Sequence, residues 1–587
     1  MIISQDTRKQ MGQEVHALLI KPTNSGFNPK QLEINFEPLG LMHISSFIKK
    51  YSNHSITVID AQAQSAEILH LEDGRIRMGM SEHELGKVLR QHRPSVVGIS
   101  CLFERLTDDA MEIARVVKTV LPQTYVVLGG MDASTRYAEY LESENIDLVV
   151  VGSGEETFLE ILNVVGRGEQ PTGIEGTCER VADLELGENP AQQPADKVKL
   201  ARLLQAVVTS TANGAPIRVN PSRKSKVKFD EYPYPDRDCL PRELYDNSRN
   251  QAASYPFSRQ MPAYLIQSSR GCGLRCTFCE IISVFDTWLA HSAEYVVGEM
   301  EECISKYGAR EFIFLDDNFM LNPQRVERIC ALIVERDLKV SLDILPGVSV
   351  WTLSEEIIDV MVKAGLYRVC LPVESGNPET LKFIRKPINL MKTMEMIEYC
   401  NRKGLLTHAN LIIGFPYETE QDILTTIEWG KQSGLDAINY FVAQPIKGAR
   451  MYEIYEKNGW LLHHATAERA DYSWRAAETW RTEHYTSAEL SDITDRASTE
   501  YLLGRVKFFL WPANFAKYLW PKINSIPKFR YVLKVGVYVL FSGQKVSSNQ
   551  KLIDIRLLFR KKPSMTADTV GTSLDSSKHG LNNVKSE

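Results

Sequence analysis

Short β-branched runs alternate with helical stretches twice along this chain, and that alternation limits its fold more than any other feature. Between residues 14 and 168 the runs EVHALLIKP, SITVIDA, SVVGIS, YVVLGG and DLVVVGSG are nearly continuous in apolar character. That is the pattern of parallel strands covered on both faces. The segments between them, such as HELGKVLRQH and DDAMEIARVVKTVL, have helical spacing. A doubly wound α/β domain is expected, with ligands gathering at the carboxyl ends of its strands. From 261 to 450 the alternation resumes with AYLIQSS, EFIFLDD, KVSLDIL, YRVCLPVES, LTHANLIIG and AINYFVAQ. Five helical segments separate these six strands, several ending in glycine, the usual stop signal. The second block reads as a partial (β/α)6 TIM-type barrel with its site at the same strand edge.

The fold class is therefore α/β, in five parts. A Rossmann-like domain spans 14–170, a linker 171–260 with at most a short hairpin, and the barrel 261–455. A mostly helical basic and aromatic region follows at 456–562, then a polar, aperiodic tail at 563–587 that reads as disordered. A length of 587 residues suits several domains. Ten cysteines scattered along the chain do not form a secreted disulfide framework, which points to a reducing, cytoplasmic setting. The N-terminal stretch MIISQDTRKQMGQEVHALLI lacks the long apolar core of a signal peptide. No segment reaches the roughly 18–20 apolar residues of a membrane span. A net charge of −6 gives no sign of nucleic-acid binding. The charge is uneven, however. Residues 501–562 carry thirteen Lys/Arg against one acidic residue, Asp554. That segment reads either as helices packed on the barrel with a solvated basic face, or as a basic amphipathic surface in contact with anionic membrane.

The chemistry concentrates in SSRGCGLRCTFCE, where Cys272, Cys276 and Cys279 follow the first barrel strand with the spacing C-x3-C-x2-C. Soft thiolates suit zinc or iron–sulfur iron. A structural zinc site needs four protein ligands, and no second CxxC or HxxxH lies near. Three cysteines on a [4Fe–4S] cluster leave one iron open to a substrate or cosubstrate. FLDDN places Asp316 and Asp317 at the end of the next strand, where carboxylates suit an ammonium group. Asp317 is equally compatible with the approach to a helix capped by Asn318 or Asn322. Gly129–Gly130 and Gly152-Ser153-Gly154 end two strands of the first domain, either as tight turns or to let a bulky ligand approach the backbone.

CGLRCTFC resembles the CxxxCxxC signature of radical S-adenosylmethionine (SAM) enzymes, including Phe278 before the last cysteine. The resemblance implies that SAM chelates the fourth iron and is cleaved by one electron to a 5′-deoxyadenosyl radical. VESGNPET and LIIGFPYET are similar to later turns of that family. They imply SAM contacts at Glu374 and Ser375, and adenine packing at Ile412 and Gly414 beside Pro416. VAQPIKGARMYE resembles its last-strand turn, with Gly448-Ala449 in place of the common Gly-Thr. The first domain, the linker PYPDRDCLP and the barrel together resemble cobalamin-binding radical SAM proteins over roughly 14–455. FEPLGLMHISSFIKK, VVLGGMDAS and VGSGEETFLEIL are similar to the N-terminal pattern of those proteins. Ser153 stands where the family commonly has Glu, and Glu155 remains. No DxHxxG motif is present, so cobalamin is expected without a histidine lower ligand. It would rest near Cys101, Leu102 and Phe103 and be lined by Gly129, Gly130, Gly152, Gly154 and Glu155. The resemblance implies a cobalamin-dependent C-methyltransferase for an apolar small molecule, served by an electron donor such as flavodoxin or ferredoxin. An oxidative cyclase acting on a tetrapyrrole ester and a non-catalytic cobalamin-binding protein are the alternatives.

Overall fold

The computed structural model describes residues 12–27, 32, 35–181, 207–211, 213–246, 258–462 and 479–542. The tail expected at 563–587 and the end of the basic region lie outside them. In the N-terminal domain five parallel strands run β1 (His16–Lys21), β2 (Ser55–Asp60), β3 (Val96–Ser100), β4 (Tyr125–Gly129) and β5 (Leu148–Val150). Their order in the sheet is β2-β1-β3-β4-β5. The continuous apolar character of β1 has the expected cause. Leu18 and Ile20 pack under helices α2 (Glu82–His92) and α3 (Thr107–Val120), while Ala17 and Leu19 pack under α1 (Leu39–Tyr51) and α4 (Glu155–Gly166). Both faces are thus covered. Strand order reverses between β1 and β3, and the cleft described below lies over the carboxyl ends of β3, β4 and β5, beside that switch point.

The stretch 171–260 holds more structure than a linker with a hairpin. Strands β6 (Thr177–Arg180), β7 (Val207–Ser210) and β8 (Pro216–Val219) extend the first sheet antiparallel, in the order β5-β6-β8-β7. The segment after them fastens the two domains together. Asp236 accepts from Ser45 and Lys49 of α1, both at 2.6 Å. The neighbouring Arg237, buried, pairs with Glu37 at 3.3 Å and with Glu299 of the barrel at 2.7 Å.

The barrel contains β9 (Ala263–Ile266), β10 (Glu311–Phe314), β11 (Ser341–Ile344), β12 (Arg368–Glu374), β13 (Leu406–Ile413) and β14 (Ala437–Val442), all parallel. A single bridge, Leu342 to Leu366, joins the two three-stranded halves. Helices α5 (Ala293–Tyr307), α6 (Pro323–Glu335), α7 (Glu355–Lys363), α8 (Pro378–Phe383), α9 (Leu390–Arg402) and α10 (Glu420–Gln432) intervene. Their ends follow local chemistry. Ser292, Asn322, Ser354, Asn389 and Thr419 cap helix starts through their side chains, and Gly308 ends α5 at φ +67°. Residues of β9, β12 and β13 alternate. Tyr264, Ile266, Val369 and Leu371 face the helices, while Ala263 and Leu265 turn the other way and meet Leu39 of α1.

After α11 (Arg450–Lys457), two long helices complete the described chain: α12 (Ser487–Phe509) and α13 (Ile526–Ser542). The inner faces of both pack on the barrel. Tyr501 of α12 donates to the Leu435 carbonyl at 2.6 Å. Tyr531 of α13 is buried edge-on against Tyr367, ring centroids 5.2 Å apart.

Candidate active site

The cysteine loop leaves β9 at the carboxyl edge of the barrel and is fastened at several points. Thr277 N–H donates to the Ile384 carbonyl at 3.2 Å, and Met451 N–H donates to the Thr277 carbonyl at 2.7 Å. Cys276 is buried and the other two are half-buried. Burial pushes the Cys276 thiol up to about 11 and the Cys279 thiol up to about 12, and in both cases the nearby Cys272 sulfur adds to the rise. The three sulfurs therefore share one electrostatic environment. Asn318 Nδ2 donates to Cys272 Sγ at 3.5 Å. Among the described residues no three His, Cys, Asp or Glu side chains converge on a single ion. An iron–sulfur cube would bind each cysteine through a different iron, and the three thiols lie on one loop. Coordination would supply the positive charge that lowers these pKa values.

Strand-end residues divide between support and exposure. Asp316 is fully buried and accepts from Ser268 N–H at 2.7 Å, Ser268 Oγ at 2.5 Å and Ser269 Oγ at 2.6 Å. It ties the end of β9 to the end of β10 and holds the base of the cysteine loop. Asp317 accepts from Gly271 N–H at 2.8 Å and opens onto the cleft between the domains. Of the two cap candidates Asn322, not Asn318, caps the following helix. Glu374 sits at φ +66° and pairs with Lys386 at 2.8 Å. The charges of Cys276 and Glu374 raise the Lys386 pKa against the effect of burial, which places that cation beside the cysteines. The Ser375 hydroxyl turns outward to Thr426 Oγ1 of α10, 2.9 Å away, so it is spent on the turn rather than on the barrel mouth. Gly414 likewise faces outward. A Cβ there would meet Leu490 of α12 at 2.4 Å, which leaves no room for an adenine on that side. Ile412, two residues earlier, is half-buried in the alternating pattern of β13.

Between the strand ends of the first domain and the barrel edge lies a cavity of about 210 Å3. Gly129, Gly130, Gly152 and Gly154 line it from one side; Gln267, Arg270 and Asp317 line it from the other. Gly152 has φ +84°, and a Cβ there would meet nothing nearer than the Val284 carbonyl at 4.0 Å, so its missing side chain leaves open cleft. Gly130 is a glycine for a different reason: at φ +115° its Cβ would stand 2.2 Å from the Cys101 carbonyl oxygen. Leu102 and Phe103 stand exposed at 48% and 51%, and Leu102 lines the cleft. Cys101 does not. Its sulfur points into the sheet core, 3.2 Å from Tyr140 Oη, and burial pushes the thiol up to about 12. Glu155 bridges the domains through a 2.5 Å ion pair with Arg270, and its second oxygen has no partner among the described residues. No histidine among the described residues lines the cleft. His43, inside α1, is buried and held well below its usual pKa by burial and by the charge of Arg270.

Arg270, Arg237, Lys386 and Glu418 are the working residues that pattern reading passed over. Arg270 precedes the first cluster cysteine, and Glu418 stands inside LIIGFPYET. Glu418 accepts from the N–H groups of Gly414 at 2.7 Å and Phe415 at 3.1 Å, and from Thr380 at 2.9 Å. A buried carboxylate next to a Gly-Phe-Pro turn was a usable signal.

The fold and this two-sided cleft define a cobalamin-binding radical SAM enzyme: residues 31–162 match the B12 binding domain family and residues 266–430 the Radical SAM superfamily. The two domains carry with them a [4Fe–4S] cluster, SAM and cobalamin as cofactors. The chain is similar to an uncharacterized methyltransferase of Pyrococcus horikoshii, 27% identical across 83% of this chain and 92% of that one. It is also similar to the cytidylyl-2-hydroxyethylphosphonate methyltransferase of Streptomyces wedmorensis, 25% identical across 78% and 84%. Among solved structures, the radical SAM methyltransferase TsrM from Kitasatospora setae superposes with a TM-score of 0.57 at 17% identity, covering 81% of this chain and 84% of that chain. The cobalamin-dependent OxsB superposes at 0.59 and 15% identity, covering 90% and 73%.

Proposed function

We propose that the chain transfers a methyl group from SAM, by way of cobalamin, to an unactivated carbon of an apolar small molecule. The observation that carries this reading is the single cleft lined by Gly152 and Leu102 on the B12 side and by Arg270 and Asp317 on the cysteine-loop side. When bound, the cluster and SAM supply one-electron cleavage of the sulfonium, and cobalamin carries the methyl group. The protein's share is binding and placement. Cys272, Cys276 and Cys279 would hold the cluster, with Asn318 orienting Cys272. Asp317 is the exposed carboxylate suited to the SAM ammonium, and the Glu374–Lys386 pair offers charge of both signs beside the cysteines. Ile412 offers an apolar wall for the adenine. On the other side the open approach at Gly152, with Gly129 beside it, would leave room for a corrin, and Leu102 would offer it an apolar surface. The Glu155–Arg270 and Arg237–Glu299 pairs fix the distance between the two halves.

Both named methyltransferase relatives match this chain over more of its length than the anaerobic magnesium-protoporphyrin IX monomethyl ester cyclase of Rubrivivax gelatinosus, which is 20% identical across 70% of it. Transfer of a deuterated methyl from labelled SAM to candidate acceptors, read by mass spectrometry on the anaerobically reconstituted enzyme, tests the proposal. A labelled product supports methylation. Formation of 5′-deoxyadenosine with an oxidised, unlabelled product would replace it with the cyclase reading.

A further inference from the structure

The outer side of the C-terminal region differs from the rest of the surface. Among the described residues, eight of the twenty large exposed apolar side chains fall between 506 and 533. Leu510 and Trp511, where α12 ends, are 77% and 67% open, and Trp520 is exposed nine residues on. Ile526, Phe529 and Leu533 follow on α13, spaced i, i+3, i+7 and therefore on one side of that helix. Buried Tyr531 marks the opposite side, which packs on the barrel. Single exposed apolar residues need no explanation; a set gathered on consecutive helices marks a contact face.

The charge around this face identifies what it fits. Residues 501–542 contain no Asp or Glu. Arg530 lies four residues after Ile526, on the apolar side of α13, and neither it nor exposed Lys507 pairs with a carboxylate among the described residues. Tryptophans beside leucine and phenylalanine, bordered by cations on a segment with no acid of its own and one neighbouring carboxylate, Glu398 on Lys517, suit the interface of a bilayer. There the rings sit at headgroup level and long basic side chains reach lipid phosphates. A partner protein of ordinary composition would not call for so one-sided a charge. No helix among the described residues is long and apolar enough to cross a membrane.

We propose that the outer face of α13 and the turn around Trp511 dock the enzyme on an anionic membrane surface. The test is co-sedimentation of the full-length, cofactor-loaded enzyme with vesicles of phosphatidylcholine alone and of phosphatidylcholine with phosphatidylglycerol. Binding is expected only to the anionic vesicles, and to weaken with salt. Lys507→Gln with Arg530→Gln should lower the partition coefficient by about fivefold per charge. Trp511→Glu with Leu533→Glu should abolish it while far-UV circular dichroism and iron and cobalamin loading stay unchanged. Failure of the wild-type enzyme to bind anionic vesicles overturns the proposal. So does a self-associated species in light scattering that Trp511→Glu with Leu533→Glu dissolves, since the face would then belong to a second copy of the chain.

Discussion

Gly152→Leu probes the cleft most sharply, because the structure supplies its own control. Gly152 has φ +84° and an open approach, with the Val284 carbonyl, 4.0 Å away, the nearest atom a Cβ would meet. Gly168, on the surface beyond α4, has φ +75° and nothing within 4 Å. A leucine at either site meets the same left-handed backbone penalty, about 1–2 kcal/mol. Both variants should therefore melt a few degrees lower, by roughly 2–4 °C per kcal/mol in a domain of this size. Only at residue 152 does the side chain enter the space between the domains. Crowding a ligand there should cost about 1–3 kcal/mol, or roughly five- to 150-fold in affinity. The assay is cobalamin retained per chain after anaerobic reconstitution and gel filtration, read by absorbance, with iron measured in parallel. Gly152→Leu is expected to lose cobalamin and keep its iron, and Gly168→Leu to keep both. Equal retention by the two variants, or equal loss, refutes the assignment of this cleft to cobalamin.

Other substitutions separate the parts of the site. Cys276→Ala should abolish iron loading while cobalamin binding persists, measured on the same preparation. Arg270→Ala strands the buried Glu155 carboxylate and should cost about 3–5 kcal/mol in urea unfolding, with a second change, Glu155→Gln, recovering part of that loss. Additive losses in the double variant would mean the pair does not couple. Glu418 is raised by burial to about 7, above its ordinary 4.5. Its protonated form is the favoured one in the folded state, so its contribution is full below pH 4.5 and fades as pH rises through 7. Glu418→Gln should flatten that part of the stability–pH curve. Glu418→Ala, which leaves the Gly414 and Phe415 N–H groups without their acceptor, should destabilise at every pH.

The strands were legible because parallel strands buried on both faces must be apolar without interruption. SVVGIS and AYLIQSS carry that requirement in four or five consecutive residues. The helix start at Asn322 was legible as a local cap, and Ser292, Ser354 and Thr419 cap in the same way. The cysteine loop announced itself by composition. The direction of individual side chains at strand ends could not be read, because it depends on what packs from elsewhere in the chain. Ser375 is turned by Thr426, Gly414 is covered by Leu490 more than seventy residues later, and Cys101 is drawn into the core by Tyr140. The strands within 171–260 escaped for a similar reason. TCER and PIRV are too short and too polar to signal by pattern, and they form because β5 offers an edge on which to pair. The joints between the domains, Arg270 with Glu155 and Arg237 with Glu37 and Glu299, link residues up to two hundred positions apart and leave no periodic trace.

We infer that the cysteine loop and the B12 domain present their cofactors to one shared cleft. Electron paramagnetic resonance of the anaerobic holoenzyme, with the cluster reduced and the cobalt paramagnetic, tests it directly. The two signals are expected to be broadened by spin–spin interaction, and Gly152→Leu to remove the effect along with the cobalamin. A spectrum equal to the sum of an isolated cluster and an isolated cobalamin would contradict it.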